Sequence, residues 1–179
     1  MNFWGHLKTI NQHKFYVMKE CFKVGLYKQG LLHDLSKYSP IEFWTGVKYY
    51  QGNRSPNNEE REKTGLSLSW LHHKGRNKHH FEYWIDYNKS SVSGLSGMKM
   101  PPLYVIEMFI DRVADCKTYQ KDKYTCKSPL EYYMSGKAAT LLHEDSRKLL
   151  EKLLKMLAIR GEEETFAYIK KLVKRIKRK

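Results

Sequence analysis

Apolar residues return every three to four positions along most of this chain, the period of a helix face. Between residues 3 and about 27, Leu7, Ile10, Val17, Cys21 and Val24 make one stripe with Lys14 as its polar interruption, which predicts a first helix. His13 falls close to that face, between Ile10 and Val17. Gly25 and Gly30 end the helix and leave His33-Asp34 on a short segment. Ser39-Pro40 reads as a helix start, with Ser39 as N-cap and Pro40 at the first helical position, so a helix is expected over 41 to about 50. Residues 51–58 are a loop by composition, and a further helix is expected over 59–74, with Leu66, Trp70 and His73 on one face.

The Ser- and Gly-rich stretch 90–100 reads as a loop. Pro101-Pro102 opens a helix to about Gln120, striped by Leu103, Ile106, Ile110 and Val113. Ser128-Pro129 opens a short helix through Met134, interrupted by Gly136. A long amphipathic helix follows from Ala138 to about Arg160, and Gly161 terminates it. The last helix starts at Glu162, with acidic residues in its first turn and Lys and Arg at its end, as the macrodipole favours. No stretch alternates with period two, so the expected fold is an all-α helical bundle. It is expected to be one domain over 1–179, with a core at about 3–120 and added C-terminal helices at about 129–179.

Composition narrows the class. With 41% apolar and 13% aromatic residues, the 179-residue chain is long enough to bury a core and is not disordered. No apolar run approaches the roughly eighteen residues of a membrane span, and the N-terminus is too polar for a signal peptide. The expected location is therefore the cytoplasm, with no membrane partner. Cys21, Cys116 and Cys126 show no paired spacing and read as reduced thiols. The 33 Lys and Arg against 19 Asp and Glu give +14, which favours polyanionic partners. Seven of those cations lie in the tail 170–179; such a run is usually a solvated face, with nucleic-acid binding the functional alternative.

Two stretches carry chemistry. His33-Asp34 sets a nitrogen and an oxygen ligand side by side among leucines. Half of the chain's eight histidines lie within 72–80, as His72, His73, His79 and His80, interleaved with Lys74, Arg76 and Lys78. The bland reading of this stretch is a solvated basic loop; the functional one is a metal edge or a phosphate site. On the helix after Pro102, Glu107, Asp111 and Asp115 form a like-charge ladder at four-residue spacing, mildly destabilising unless a cation offsets it. Arg112 and Lys117 could do so structurally, and a metal functionally.

The order His13, His33-Asp34, Asp111 on a helical chain, with Lys37 three residues after Asp34, resembles the HD-domain superfamily of metal-dependent phosphohydrolases. The likeness covers roughly His13 to Asp115. The H-H-x-E-Y-W segment at His79 and E-M-x-x-D at Glu107 resemble an uncharacterised bacterial and phage subgroup. The resemblance implies that His13, His33, Asp34 and Asp111 bind a divalent transition metal (Mn, Fe, Co, Ni or Zn), with Asp34 and Lys37 in catalytic roles. His73, His79 and His80 would hold a second ion or a phosphate. His6 and Asp115 are alternatives to His13 and Asp111. Lys37, Lys74, Arg76 and Lys78 are the candidate contacts to substrate phosphate. The implied activity is hydrolysis of a nucleotide or other small phosphate ester. The alternatives are a non-catalytic nucleic-acid-binding protein and an HD-fold metal oxygenase. The sequence leaves the oligomeric state open.

Overall fold

Helices α1 (Phe3–Val24) and α6 (Pro102–Gln120) carry the apolar stripes that periodicity predicts, and their buried faces meet in the centre of a computed structural model. The structure describes residues 1–136 and 138–178, so Lys137 and Lys179 of the expected C-terminal segment lie outside the described residues. Val17, Cys21 and Val24 of α1 pack with Ile106, Phe109, Ile110 and Val113 of α6. The third member of this core is α9 (Glu144–Ile176), through Leu150, Leu153, Leu154, Leu157, Ile169 and Val173. The C-terminal helices are thus not an addition to a finished core. They supply one of its three walls, and the fold is all-α.

Gly161 breaks α9 as expected, with φ 76° and ψ −177°, a conformation that side chains with a Cβ rarely adopt. The helix also begins later than the stripe suggests: a short α8 (Ala138–Leu141) precedes it, and His143 caps α9 by accepting from the Asp145 amide.

The expected helix over 59–74 is two helices. Gly65 (φ 80°) closes α4 (Pro56–Thr64), and Ser67 Oγ accepts from the Trp70 amide to start α5 (Leu68–Lys74). Leu66 is left exposed between them, not on a shared face. The 90–100 stretch is not wholly loop: β1 (Ile85–Tyr87) pairs antiparallel with β2 (Leu95–Gly97), in the register Ile85 with Gly97 and Tyr87 with Leu95. The strands are too short for period-two alternation to stand out. Two shorter helices, α2 (Tyr27–Leu32) and α3 (Pro40–Tyr49), flank the His33-Asp34 turn, and α7 (Ser128–Ser135) packs on α6 and α9. Among the described residues, no helix is long and apolar enough to cross a membrane. All three cysteines are free thiols.

Candidate metal centre

Two neighbouring residues can point into one site only if the chain turns sharply between them. After α2, His33 is extended (φ −53°, ψ 127°) and Asp34 is left-handed (φ 54°, ψ 26°), a region that aspartate tolerates better than branched residues do. Both side chains are almost wholly buried. Lys14 Nζ donates to the His33 carbonyl and to that of Leu31, tying the turn to α1.

The turn sits over the faces of α1 and α6 that carry the remaining candidate ligands. His13 Nε2 lies 3.5 Å from Asp34 Oδ2 and 3.1 Å from Asp111 Oδ1; His33 Nε2 lies 3.4 Å and 3.2 Å from the same two oxygens. These four buried side chains, the set the sequence order selects, form one group that could hold a metal ion. His6, the alternative first histidine, lies two turns away along α1.

The histidine-rich stretch folds inward as well. Asn77 Nδ2 donates to the His73 carbonyl and to Ser36 Oγ, bending the chain after α5 back over the His33-Asp34 turn. Trp84 Nε1 donates to the Lys78 carbonyl from the other side. His73 Nε2 and His79 Nε2 then stand 3.2 Å and 3.4 Å from Asp34 Oδ1, and His80 Nε2 stands 2.9 Å from His73 Nε2. Asp34, His73, His79 and His80 are a second group that could hold an ion. Asp34 is common to both, one oxygen facing each.

These separations test whether an ion fits. Donors at about 2.1 Å from one ion stand about 3.0 Å apart at right angles and about 3.4 Å apart in a tetrahedron. The donor pairs given above, at 2.9–3.5 Å, fall around that range, and all donors of each group lie within 4.8 Å of one another. Hydrogen bonding does not account for their convergence: His13 Nε2, His79 Nε2 and Asp34 Oδ1 make no hydrogen bond among the described residues, although all are buried. Two buried carboxylates and five imidazoles at such separations fit a divalent transition metal.

Outer carboxylates orient the rings. Glu107 Oε1 lies 3.0 Å from His33 Nδ1 and 3.4 Å from His79 Nδ1, so one oxygen serves an imidazole of each group. Glu42 Oε2 takes His73 Nδ1 at 2.7 Å and its Oε1 takes His72 Nδ1 at 2.6 Å; Asp115 Oδ1 lies 3.2 Å from His13 Nδ1 as an ion pair without hydrogen-bond geometry. A carboxylate at Nδ1 of His33 and His73 favours a proton there, so Nε2, the nitrogen nearer Asp34, is the one that would give up its proton to an ion. The like-charge ladder of α6 is therefore offset by imidazoles. Lys117, instead of joining it, pairs with Glu162 and Glu20, and the Arg112 guanidinium lies over the Tyr133 ring.

Electrostatics in the ion-free protein follow from this packing. Burial opposes charge on His13, as does Lys37, yet Asp115 and Asp111 outweigh both and raise its pKa to about 10. Burial likewise opposes charge on His33, and Asp34, Asp111 and Glu107 hold it well above its usual value. For Asp34, burial is outweighed by His33, Lys37 and His73, which keep the carboxyl ionised well below its usual range. His80 is the exception: burial, then His79 and His73, push it far down, leaving a neutral ring. Protons on these imidazoles stand where a cation would otherwise neutralise the carboxylates.

The centre forms one wall of a cavity of about 390 Å³ that is also lined by His6, Thr9, Lys37, Asn57, Arg61 and Tyr119. Lys37 Nζ reaches Asp34 Oδ2 at 2.6 Å. Asp34, together with Asp115 and Asp111, holds Lys37 cationic against the partial burial that opposes its charge. Lys74, Arg76 and Lys78, the other expected phosphate contacts, do not line this cavity. Arg76 donates to the His72 carbonyl at the surface, and Lys78 lies over the Tyr83 ring. The bend that buries His73 and His79 turns these cations outward. Glu42 escaped sequence reasoning because nothing local marks an acidic residue in a helix's first turn as more than a dipole partner. Glu107 was visible in the ladder, but its two imidazoles come from distant segments.

No curated protein and no solved structure matches this chain. A family model matches residues 2–156, a span that includes every side chain of the centre. The match covers most of the sequence, and the protein belongs to the family of unknown function DUF5662.

Proposed function

We propose that the protein is a metal-dependent phosphohydrolase of HD type, acting on a small phosphate ester such as a nucleotide and holding two divalent transition-metal ions. The observation that carries this reading is the shared Asp34, whose two oxygens face two separate groups of imidazoles beside a cavity. His13, His33, Asp34 and Asp111 would hold one ion; Asp34, His73, His79 and His80 the other. Ions so placed supply Lewis-acid polarisation of a phosphoryl oxygen and lower the pKa of water.

The chain's own residues do the rest. Glu107 and Glu42 favour one tautomer and orientation of the ligating rings they touch. Lys37, at the cavity wall, is the cation placed to offset negative charge on a bound phosphoryl group. Trp70 stacks on His73, with ring centroids 5.6 Å apart, and helps fix that ring's orientation. The exposed cations Lys174 and Arg175 in the last turn of α9, and Arg178 just beyond it, are the surface through which nucleic acid would bind.

The test is elemental analysis of untagged protein beside Asp34→Ala, followed by phosphate release from a panel of phosphate esters. Two equivalents of Mn, Fe, Co, Ni or Zn, lost with phosphate release in Asp34→Ala, are expected. Full metal content in that variant would sink the assignment. Iron with oxygen-dependent turnover and no phosphate release would replace the hydrolase by the oxygenase.

A further inference from the structure

The cavity does not end at the metal centre. His6 and His13 lie seven residues apart on one face of α1, so the cavity extends along that helix by about 10 Å, at about 1.5 Å per residue. Its lining changes character over that distance. Around the imidazoles it is rich in carboxylates: Asp34, Glu42, Asp111 and Asp115. The lining residues from the first turns of α1 (His6, Thr9, Ile10) and from α4 and its cap (Ser55, Pro56, Asn57, Asn58, Arg61) include no acid among the described residues.

Three features of that end suit an anionic ligand. His6 is 6% exposed, and its Nδ1 is buried with no hydrogen-bond partner among the described residues. The ring is seated deliberately: a Cβ on Gly46 would stand 2.2 Å from its Cε1 and Nε2. The nine-residue α4 presents its first turn to the cavity, and its N-cap Ser55 makes no side-chain capping bond. Pro56 has no N–H and the Asn58 amide donates to the Ser55 carbonyl, which leaves the Asn57 amide as the first-turn donor without a bond among the described residues; with the helix dipole it favours an anion. Arg61, one turn further on, spends one N–H on Asn58 Oδ1 and lines the same space. Burial, then Lys37, lowers the His6 pKa to about 4, so the ring is a neutral donor that adds no charge of its own.

We infer that this end of the cavity is a second anion subsite, built from the α4 N-terminus, Arg61 and His6, and that the substrate carries a phosphate or carboxylate distant from the scissile phosphoryl group. This rests on the phosphohydrolase reading for the position of the first phosphoryl group. It adds a requirement that reading lacks: a substrate anionic at both ends, not a simple monoester. Lys37 lines the cavity, pairs with Asp34 and acts electrostatically on His6, so its charge is felt at both ends.

The test titrates metal-loaded protein with alkane-α,ω-diol bisphosphates of increasing length and with the matching monophosphates. A bisphosphate of fitting span should bind at least about tenfold tighter than its monophosphate, the gain from one charge-assisted hydrogen bond. Arg61→Gln and His6→Asn should each cut that advantage while metal content stays at the wild-type level. Equal affinity at every length, or an advantage that survives either substitution, overturns the inference. Protein that retains no metal would count against the metal centre instead. The subsite is then read in that metal-free protein by NMR titration with inorganic phosphate. Amide shifts at Asn57 and Asn58 that vanish in Arg61→Gln uphold it, and unmoved amides overturn it. Methyl carboxylates of matched length in place of the distal phosphate decide which anion is preferred.

Discussion

Glu107 is the side chain whose loss should be felt on both sides of the centre at once. A single oxygen, Oε1, stands within reach of His33 Nδ1 and His79 Nδ1. His33 belongs to one of the two groups around Asp34 and His79 to the other, and with Glu107 itself the two rings form a third group that could hold an ion. Glu107→Ala removes the acceptor from both rings and leaves two buried N–H groups unpaired. Each hydrogen bond to a charged group contributes about 1.5–3 kcal/mol, so ion-free stability should fall by roughly 3 kcal/mol or more. Loss of an outer-shell partner typically weakens metal binding about 10- to 100-fold, and here the loss should apply to each ion. Glu107→Gln keeps an acceptor oxygen and should lose less. Glu42→Ala, by contrast, releases only His73 among the ligands, and should weaken one ion alone. Chelator-competition titrations of the three variants, with thermal melts of the stripped proteins, measure both quantities. The reasoning fails if Glu107→Ala weakens a single ion, or neither, while Glu42→Ala weakens both.

Other outcomes follow from the same geometry. Asp34→Asn keeps the shape but halves the anionic oxygens that face the imidazoles, so both ions should be lost together, as metal analysis would show; loss of one alone would mean that Asp34 is not shared. Metal uptake should release protons, and affinity should rise with pH up to about 10, because His13 must be neutral to ligate and is cationic in the ion-free protein below that value. Calorimetry in buffers of different ionisation enthalpy counts those protons, and a count of zero at pH 7 would refute the charge assignment. The same shift has a stability consequence in stripped protein. The folded His13 pKa of about 10 lies above its usual 6.5, so its contribution is whole below pH 6.5 and is lost as pH rises through 10. The melting temperature of stripped protein should fall across that window, and that of His13→Gln should fall less. Gly46→Ala drives a methyl group into His6 and should cost about 1–3 kcal/mol by overpacking, visible in a denaturant melt, with metal content unchanged.

Sequence alone determined the α1 and α6 stripes and several helix starts and stops, because these are written in local spacing, and it offered the first candidate ligand group through the resemblance to the HD superfamily. The α1 and α6 stripes, the Pro40 and Pro102 starts and the Gly161 break depend on neighbours within a turn or two. His13, His33, Asp34 and Asp111 could be read in order because each lies on or beside such an element. The break at Gly65 was legible in principle, but the apolar and histidine positions on either side hid it. Only tertiary structure decided the rest. The 72–80 stretch looks like a solvated basic loop until Asn77 bends it over Ser36, which buries His73 and His79 and expels Lys74, Arg76 and Lys78. Glu42, Glu107, Arg61 and His6 acquire their places through contacts between segments tens of residues apart, and spacing along one helix carries no record of such contacts. The C-terminal helix belongs to the core for the same reason: its stripe shows that a face is buried, and only packing shows against what.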